Sequence, residues 1–297
     1  MMLVADIGGT KIAVARAGDD GELCSDVVSV PTPASRGAAA VVAATVTALQ
    51  QVRAPDDTAF GIATAGVVDT ATGTVLGATS SIAGWAGTPL AAQVGQALGL
   101  PGWVVGDGNA FGTALAAEHG ARSLVALVAG TGIGGSLVVD GVPLTGAHHA
   151  GGHFGHVVAA EAHGLPCPCG ATGHLEAVAS GHGILAWYRA NGGDPGVVSA
   201  HELSRRPDDA AAVAALTTAG AALGAAAASL ANALDPEIVA VCGSVTRAGA
   251  VWETALRGAY ADTLMPASAG TPVVIADAGP RTALRGAALH ALGRMAP

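Results

Sequence analysis

Short apolar blocks separated by glycine turns open the chain. Leu3-Val4-Ala5 runs into Asp6, Gly8-Gly9 marks a tight turn, and Ile12 to Ala15 resumes the apolar run. Asp19-Asp20-Gly21 turns the chain again before an apolar stretch from Leu23 to Val30. Apolar runs bounded by such turns predict three strands. Pro31 and Pro33 stop the pattern, and Ala38 to Val52 takes up helical spacing. The same layout returns about 120 residues downstream. Leu124 to Val128 reads as a strand, Gly130-Thr131-Gly132-Ile133-Gly134-Gly135 as a turn, and Leu137-Val138-Val139 as a strand. An Asp140-Gly141 turn and a further strand, Val142-Pro143-Leu144, complete it. The repeat implies two lobes of related design, each opening on an antiparallel meander.

Between the copies the pattern predicts strand Phe60 to Ala63, a turn-rich stretch Asp69 to Trp85, helix Pro89 to Leu98, strand Trp103 to Val105 and helix Asn109 to His119. After the second copy comes a His- and Cys-rich loop. The remainder reads as helical apart from strands Ile238 to Val241 and Pro272 to Ile275, with a closing helix Arg281 to Leu292. Strands alternating with helices give an α/β class.

Composition changes this picture in one place. Hydrophobic residues make up 51% of the 297, charged residues only 12%, and 44 residues are glycine. A membrane protein is one reading of such numbers. One charge-free run, Ala210 to Leu234, is long enough to span a bilayer as a helix. However, it is mostly alanine and broken by Thr217, Thr218, Gly220, Gly224, Ser229 and Asn232, while Val213, Leu216, Leu223, Leu230 and Leu234 draw one stripe. It reads as a packed helix whose small residues let neighbours approach closely, and no membrane partner is expected. Met1 to Lys11 carries Asp6 inside its apolar run and no basic segment before it, so it makes a poor signal peptide and the expected compartment is cytoplasmic. A net charge of −9 at pH 7 leaves no basic footprint, so no nucleic-acid partner is expected.

Four segments carry chemistry. In Asp6-Ile7-Gly8-Gly9-Thr10-Lys11 a strand delivers an acid and two glycines free the backbone N–H groups for phosphate oxygens. Thr10 and Lys11 would add side-chain donors, and Asp6 would hold a Mg²⁺-bound water; an ordinary hairpin reads equally well. The turn Gly130 to Gly135 fits G-x-G-x-x-G, but a strand follows where a dinucleotide site needs a helix, so it reads as a phosphate-facing hairpin. Gly106-Asp107-Gly108-Asn109 follows an apolar strand and opens a helix. Asp107 reads either as a general base at a strand's carboxyl end or as a helix cap. Seven of ten histidines lie between His148 and His182, around His156, Cys167, Cys169 and His174. Thiolates and imidazoles at these spacings can surround zinc, and four protein ligands imply a structural ion without an open position. The alternative is a metal-free polar loop.

These four pieces, in this order, resemble the ROK family (repressor, open reading frame, kinase) over nearly the whole chain. The specific part is Gly152 to Gly181. There His153-Phe154-Gly155-His156, Cys167-Pro168-Cys169-Gly170, Gly173-His174-Leu175-Glu176-Ala177 and Ser180-Gly181 are similar to the family's zinc and sugar signature. The resemblance implies a two-lobed actin-like ATPase (ribonuclease H-like) fold, each lobe a mixed sheet with helices. The lobes expected are residues 1–108 with 283–297, and residues 109–282. It implies ATP, Mg²⁺ and structural Zn²⁺, a sugar substrate and a homodimer. Asp107 matches the family's catalytic base toward the sugar 6-hydroxyl. Ser81, Asn109, His153, His156 and Glu176 fall in the implied sugar site. Asp6, Gly8, Gly9, Thr10, Lys11, Gly130, Thr131, Gly132, Gly134, Gly243 and Ser244 fall in the implied ATP site.

The chain also departs from the family pattern. His153 stands where a glutamate is usual, as it does in some similar bacterial N-acetylmannosamine kinases. His174 replaces a cysteine ligand, Gly106 an asparagine before the catalytic acid, and Ser81 an asparagine before Gly84-Trp85. Each sugar hydrogen bond lost is worth about 0.5–1.5 kcal/mol. The expected activity is phosphorylation of a hexose or N-acetylhexosamine, N-acetylmannosamine ahead of glucose, with a non-catalytic sugar sensor as the alternative. Family repressors carry a helix-turn-helix before the first turn, and with that turn at Asp6 none is expected here.

Overall fold

The first hairpin forms where the apolar run meets Gly8-Gly9. In the computed structural model, which describes residues 1–78 and 81–295, β1 (Met2–Ile7) and β2 (Lys11–Ala17) pair antiparallel from Ile7↔Ile12 to Met2↔Ala17. The chain divides into two compact units: residues 1–119, 142–151 and 278–297 form one, residues 120–141 and 152–277 the other.

The sheet of the first unit runs β3-β2-β1-β4-β7, with β3 (Val28–Pro31), β4 (Ala59–Thr64) and β7 (Gly102–Gly106). β1, β4 and β7 are mutually parallel, and a small hairpin of β5 (Val67–Asp69) and β6 (Thr74–Gly77) straddles the start of the stretch, Asp69 to Trp85, that the sequence marks only as turns. β1 is buried on both faces, and its two sets of alternate residues go to different cores. Leu3, Ala5 and Ile7 pack with Val41 and Leu49 of α1 (Ala38–Val52) and Val94 of α2 (Leu90–Leu98). Met2 and Val4 pack with Leu284 and Ala288 of α9 (Pro280–Met295). The expected strand Leu23 to Val30 forms only over Val28–Pro31, apart from an isolated bridge at Leu23. The reason is local: the Ser25 hydroxyl, not a strand carbonyl, accepts from the Arg16 N–H at 2.9 Å.

In the second unit, β8 (Ser123–Ala129), β9 (Ile133–Val139), β11 (Ile238–Cys242) and β12 (Val273–Ile275) run β9-β8-β11-β12. An antiparallel hairpin is followed by parallel neighbours, which repeats the β2-β1-β4-β7 order of the first unit. Val142 to Leu144, expected as a strand, contributes only the two-residue β10 (Val142–Pro143). The charge-free run forms α7 (Ala210–Leu234). Half of its most apolar window is buried in the protein, and Ala215, Leu216, Ala219 and Leu223 belong to the core with Trp252 and Leu256 of α8 (Ala250–Thr263).

Candidate active site

In the first unit the carboxyl ends of β1 and β7 place two acids within electrostatic reach of each other. Asp6 is pushed up to about 7, first by burial and then by the charge of Asp107; Lys11 opposes both. Asp107 is the first residue of α3 (Asp107–His119), and its Oδ1 accepts from the Gly108 N–H at 2.7 Å. The carboxylate therefore caps the helix start while remaining half-buried. Asn109, one turn position further, is buried.

The Gly8-Gly9 turn is held from outside the hairpin. Thr32 donates its Oγ1 hydrogen to Gly8 O at 2.7 Å and its N–H to Thr10 O at 3.0 Å. Sequence patterning gives no sign of this, because Thr32 sits between two prolines that read only as a break. Thr10 and Lys11 are exposed at the turn, and Ser81 packs over it: a Cβ on Gly9 would lie 3.1 Å from Ser81 Cβ. Elsewhere in this unit, His149 Nε2 lies 3.8 Å from Asp69 Oδ1, which gives one member of the histidine-rich stretch a carboxylate partner.

In the second unit the Gly130–Ile133 turn is pinned by α5 (Gly181–Ala190). Gly181 and His182 donate their N–H groups to Gly130 O at 2.8 Å and Thr131 O at 3.3 Å. Ser244, exposed just after Gly243 at the end of β11, has its Oγ 3.9 Å from where a Gly130 side chain would begin. Gly134 lies within β9, paired with Val128, and not in the turn itself. Glu176 reaches the turn with its side chain: Oε2 accepts from the Ile133 N–H at 2.7 Å.

The four expected metal ligands come together. One ligand atom from each of His156, Cys167, Cys169 and His174 lies within 4.8 Å of the others. Nδ1 of His156 is 3.7 Å from Cys167 Sγ, and Nδ1 of His174 is 3.3 Å from Cys169 Sγ. Tetrahedral zinc with ordinary Zn–S and Zn–N bonds sets N···S separations of about 3.6 Å. The donor set and its spacing therefore fit zinc. The loop is built for it: the Cys167 N–H donates to Ala171 O at 2.8 Å and the Gly170 N–H returns to Cys167 O at 2.9 Å, with Gly170 at φ +95°. Burial pushes the Cys167 thiol up to about 11 and holds the His156 imidazole below its usual value. A cation bound here would have to displace the Cys167 proton, while His156 is already biased to the neutral form a ligand needs. The His153 ring stacks on His156, with centroids 6.2 Å apart.

The comparisons with known proteins follow the same elements. The ROK family model matches residues 2–294. This chain belongs to the ROK family. A glucokinase of Thermotoga maritima is 30% identical over 293 residues, covering 93% of this chain and 92% of the relative. An N-acetylmannosamine kinase of Escherichia coli O157:H7 is 36% identical over 187 residues, 62% of each chain. The structure of a ROK family glucokinase from Streptomyces griseus, in complex with glucose and AMPPNP, superposes with a TM-score of 0.80 at 28% identity over 98% of both chains. The fold of this ROK protein is accordingly the two-lobed actin-like ATPase fold. The two related sheets are the duplicated core of that fold, as the sequence repeat implies.

Proposed function

We propose that this ROK protein is an ATP-dependent sugar kinase that phosphorylates the 6-hydroxyl of a hexose or N-acetylhexosamine, with N-acetylmannosamine as its preferred substrate. The observation that carries this reading is the Asp6–Asp107 pair. Asp107, at the end of β7, raises the proton affinity of Asp6, at the end of β1 with β4 between the two strands, beside a glycine turn. Asp107 accepts the proton of the attacking hydroxyl, and phosphoryl transfer otherwise needs mainly positioning and charge. Each unit's glycine turn carries backbone N–H groups of the kind that hold phosphate oxygens, with Thr10 and Lys11 as additional donors at the first. Asp6 and Asp107 are hard oxygen donors of the kind Mg²⁺ takes. Mg²⁺ supplies neutralisation of phosphate charge when bound. His156, Cys167, Cys169 and His174 hold zinc, which orders the loop presenting His153 and Glu176 to the sugar.

His153 supports the finer choice of sugar. An imidazole ring stacked on His156 replaces the family's usual carboxylate, as in similar N-acetylmannosamine kinases. Purified protein with Mg-ATP and a panel of N-acetylmannosamine, glucose, mannose and N-acetylglucosamine tests both levels. N-acetylmannosamine is expected to give the highest kcat/KM. A preference for glucose would overturn the finer reading, and no sugar-stimulated ADP release would overturn the kinase. Loss of a general base typically costs about 10²–10⁴-fold. Asp107→Asn is therefore expected to lose turnover on that scale with its thermal midpoint kept, and full activity would remove Asp107 from the role.

A further inference from the structure

The Glu176 carboxylate stands on the second glycine turn as an anion would. Its Oε2 takes the Ile133 N–H at 2.7 Å, and a Cβ placed on Gly132 would lie only 2.5 Å from that same oxygen. A side chain at Gly132 would therefore exclude the carboxylate. The carbonyls of Gly130 and Thr131 are engaged by the start of α5, and the Gly130 N–H is used by Gly132 O at 2.8 Å. The Ile133 N–H is thus a donor of the turn given to a carboxylate and not to the β-ladder. Backbone N–H groups in such turns bind phosphate oxygens, and a carboxylate is the anion the chain itself can supply. Among the described residues no arginine or lysine forms an ion pair with Glu176. Its other oxygen lies 3.9 Å from Cys167 Sγ, so the carboxylate spans from the metal loop to the turn.

We infer that Glu176 is a placeholder for ATP phosphate, removed by sugar. Without sugar it occupies the Ile133 N–H and adds negative charge where phosphate would bind. Sugar hydroxyls donate to the carboxylate and draw it off the turn, and the freed N–H then donates to a phosphate oxygen. This rests on the proposed reading of Glu176 as a sugar-binding residue. It has a thermodynamic consequence: sugar and nucleotide each raise the other's affinity by one common factor. It also has a kinetic one. ATP is held poorly until the acceptor is present, which limits transfer to water.

Calorimetry of Mg-AMPPNP binding tests this, using the full chain and its Glu176→Gln variant at matched zinc content, each with no sugar, saturating N-acetylmannosamine or saturating glucose. In the wild type, sugar is expected to tighten AMPPNP about fivefold or more, within the usual range of coupling between sites. Sugar-free Glu176→Gln is expected to bind AMPPNP about threefold or more tighter than sugar-free wild type, with sugar adding less than about twofold. Equal or weaker sugar-free affinity in the variant overturns the inference, as does coupling that survives in it. The Ile133 amide NMR signal separates a specific contact from a general charge effect. It should move on sugar addition to wild type, and a signal unmoved by a sugar that calorimetry shows bound also overturns the inference. If neither sugar binds, the kinase reading fails. The sugar-free comparison of the two proteins then still decides whether the carboxylate blocks the turn.

Discussion

Asp6 shows how a single residue can work against the stability of its own fold. Its carboxyl is raised from the ordinary 3.8 to about 7 by burial and by Asp107. A folded-state value above the unfolded one means that the native chain binds the extra proton. The stability this gives is complete below about pH 4 and is lost as pH rises through 7. Asp6→Asn removes the group that must be ionised in a buried place. In Mg-free buffer the variant is expected to be more stable than wild type by roughly 2–4 kcal/mol at pH 8, and no more stable at pH 4. Urea unfolding at both pH values measures this; a variant less stable at pH 8 would show that Asp6 is not a buried, strained acid. His290 titrates with the opposite sense, held down to about 4 by burial and then by Arg294. It is common to both proteins and cancels in the difference. If the proposed kinase reading holds, strain kept at Asp6 is the usual trade between stability and activity. Neither shift is legible in sequence, because both depend first on burial, and that of Asp6 also on Asp107, a hundred positions away.

At the scale of elements, sequence reading succeeds where one periodic pattern decides the outcome. α1 and α7 begin and end at the residues their spacing marks, Ala38 to Val52 and Ala210 to Leu234. It falls short where side chains compete with the backbone, as Ser25 does in the segment before β3. The glycines of α7 carry information that hydropathy hides. A Cβ at Gly224 would sit 2.1 Å from Leu256 O, and one at Gly220 would sit 2.3 Å from Trp252 O. α7 and α8 therefore meet backbone to backbone. Gly224→Ala gains helix propensity but must push the helices apart, and overpacking of this kind costs about 1–3 kcal/mol. A lower urea midpoint is expected, and an unchanged or higher one would show that the contact yields freely. The metal loop is the other element whose existence depends on residues distant in sequence order. His156 and His174 flank it, and between them the chain has one short 3₁₀ turn, the isolated bridges Val158↔His174 and Pro166↔Thr172, and the buried side chains Ala159, Ala162 and Cys167. Elemental analysis is expected to find about one zinc per chain, as four closed ligands imply. Verified removal by chelation is expected to open residues 152–176 to limited proteolysis and to weaken sugar binding. Intact resistance and unchanged sugar affinity would leave the quartet without a structural role.

Across the whole molecule, composition conceals a selective probe of the phosphate turn. The chain carries 13 lysines and arginines, and Lys11 is the sole lysine. It is exposed at the start of β2, opposite Pro31 of β3, and close enough to Asp6 to lower that acid's proton affinity. The abundance of glycine and alanine reads at first as low complexity. The fold divides it into turns facing chemistry and helix contacts too close for side chains. The duplicated strand order was legible because both copies open on a hairpin of apolar runs around a glycine turn. The links Thr32–Gly8 and Glu176–Ile133 were not, since each joins residues distant in sequence through a single hydrogen bond. Lys11 allows the first of these turns to be watched directly. Reductive methylation with ¹³C-formaldehyde labels Lys11 and, apart from it, only the α-amino group. Mg-AMPPNP is expected to shift the Lys11 dimethylamine resonance, because phosphate charge would stand beside the amine. Sugar alone is expected to leave that resonance in place, since the sugar carries no charge. AMPPNP that binds by calorimetry yet leaves the Lys11 signal unmoved would take Lys11 and its turn out of the nucleotide site. The same outcome would leave the raised Asp6 without the Mg²⁺-nucleotide that the kinase reading places beside it.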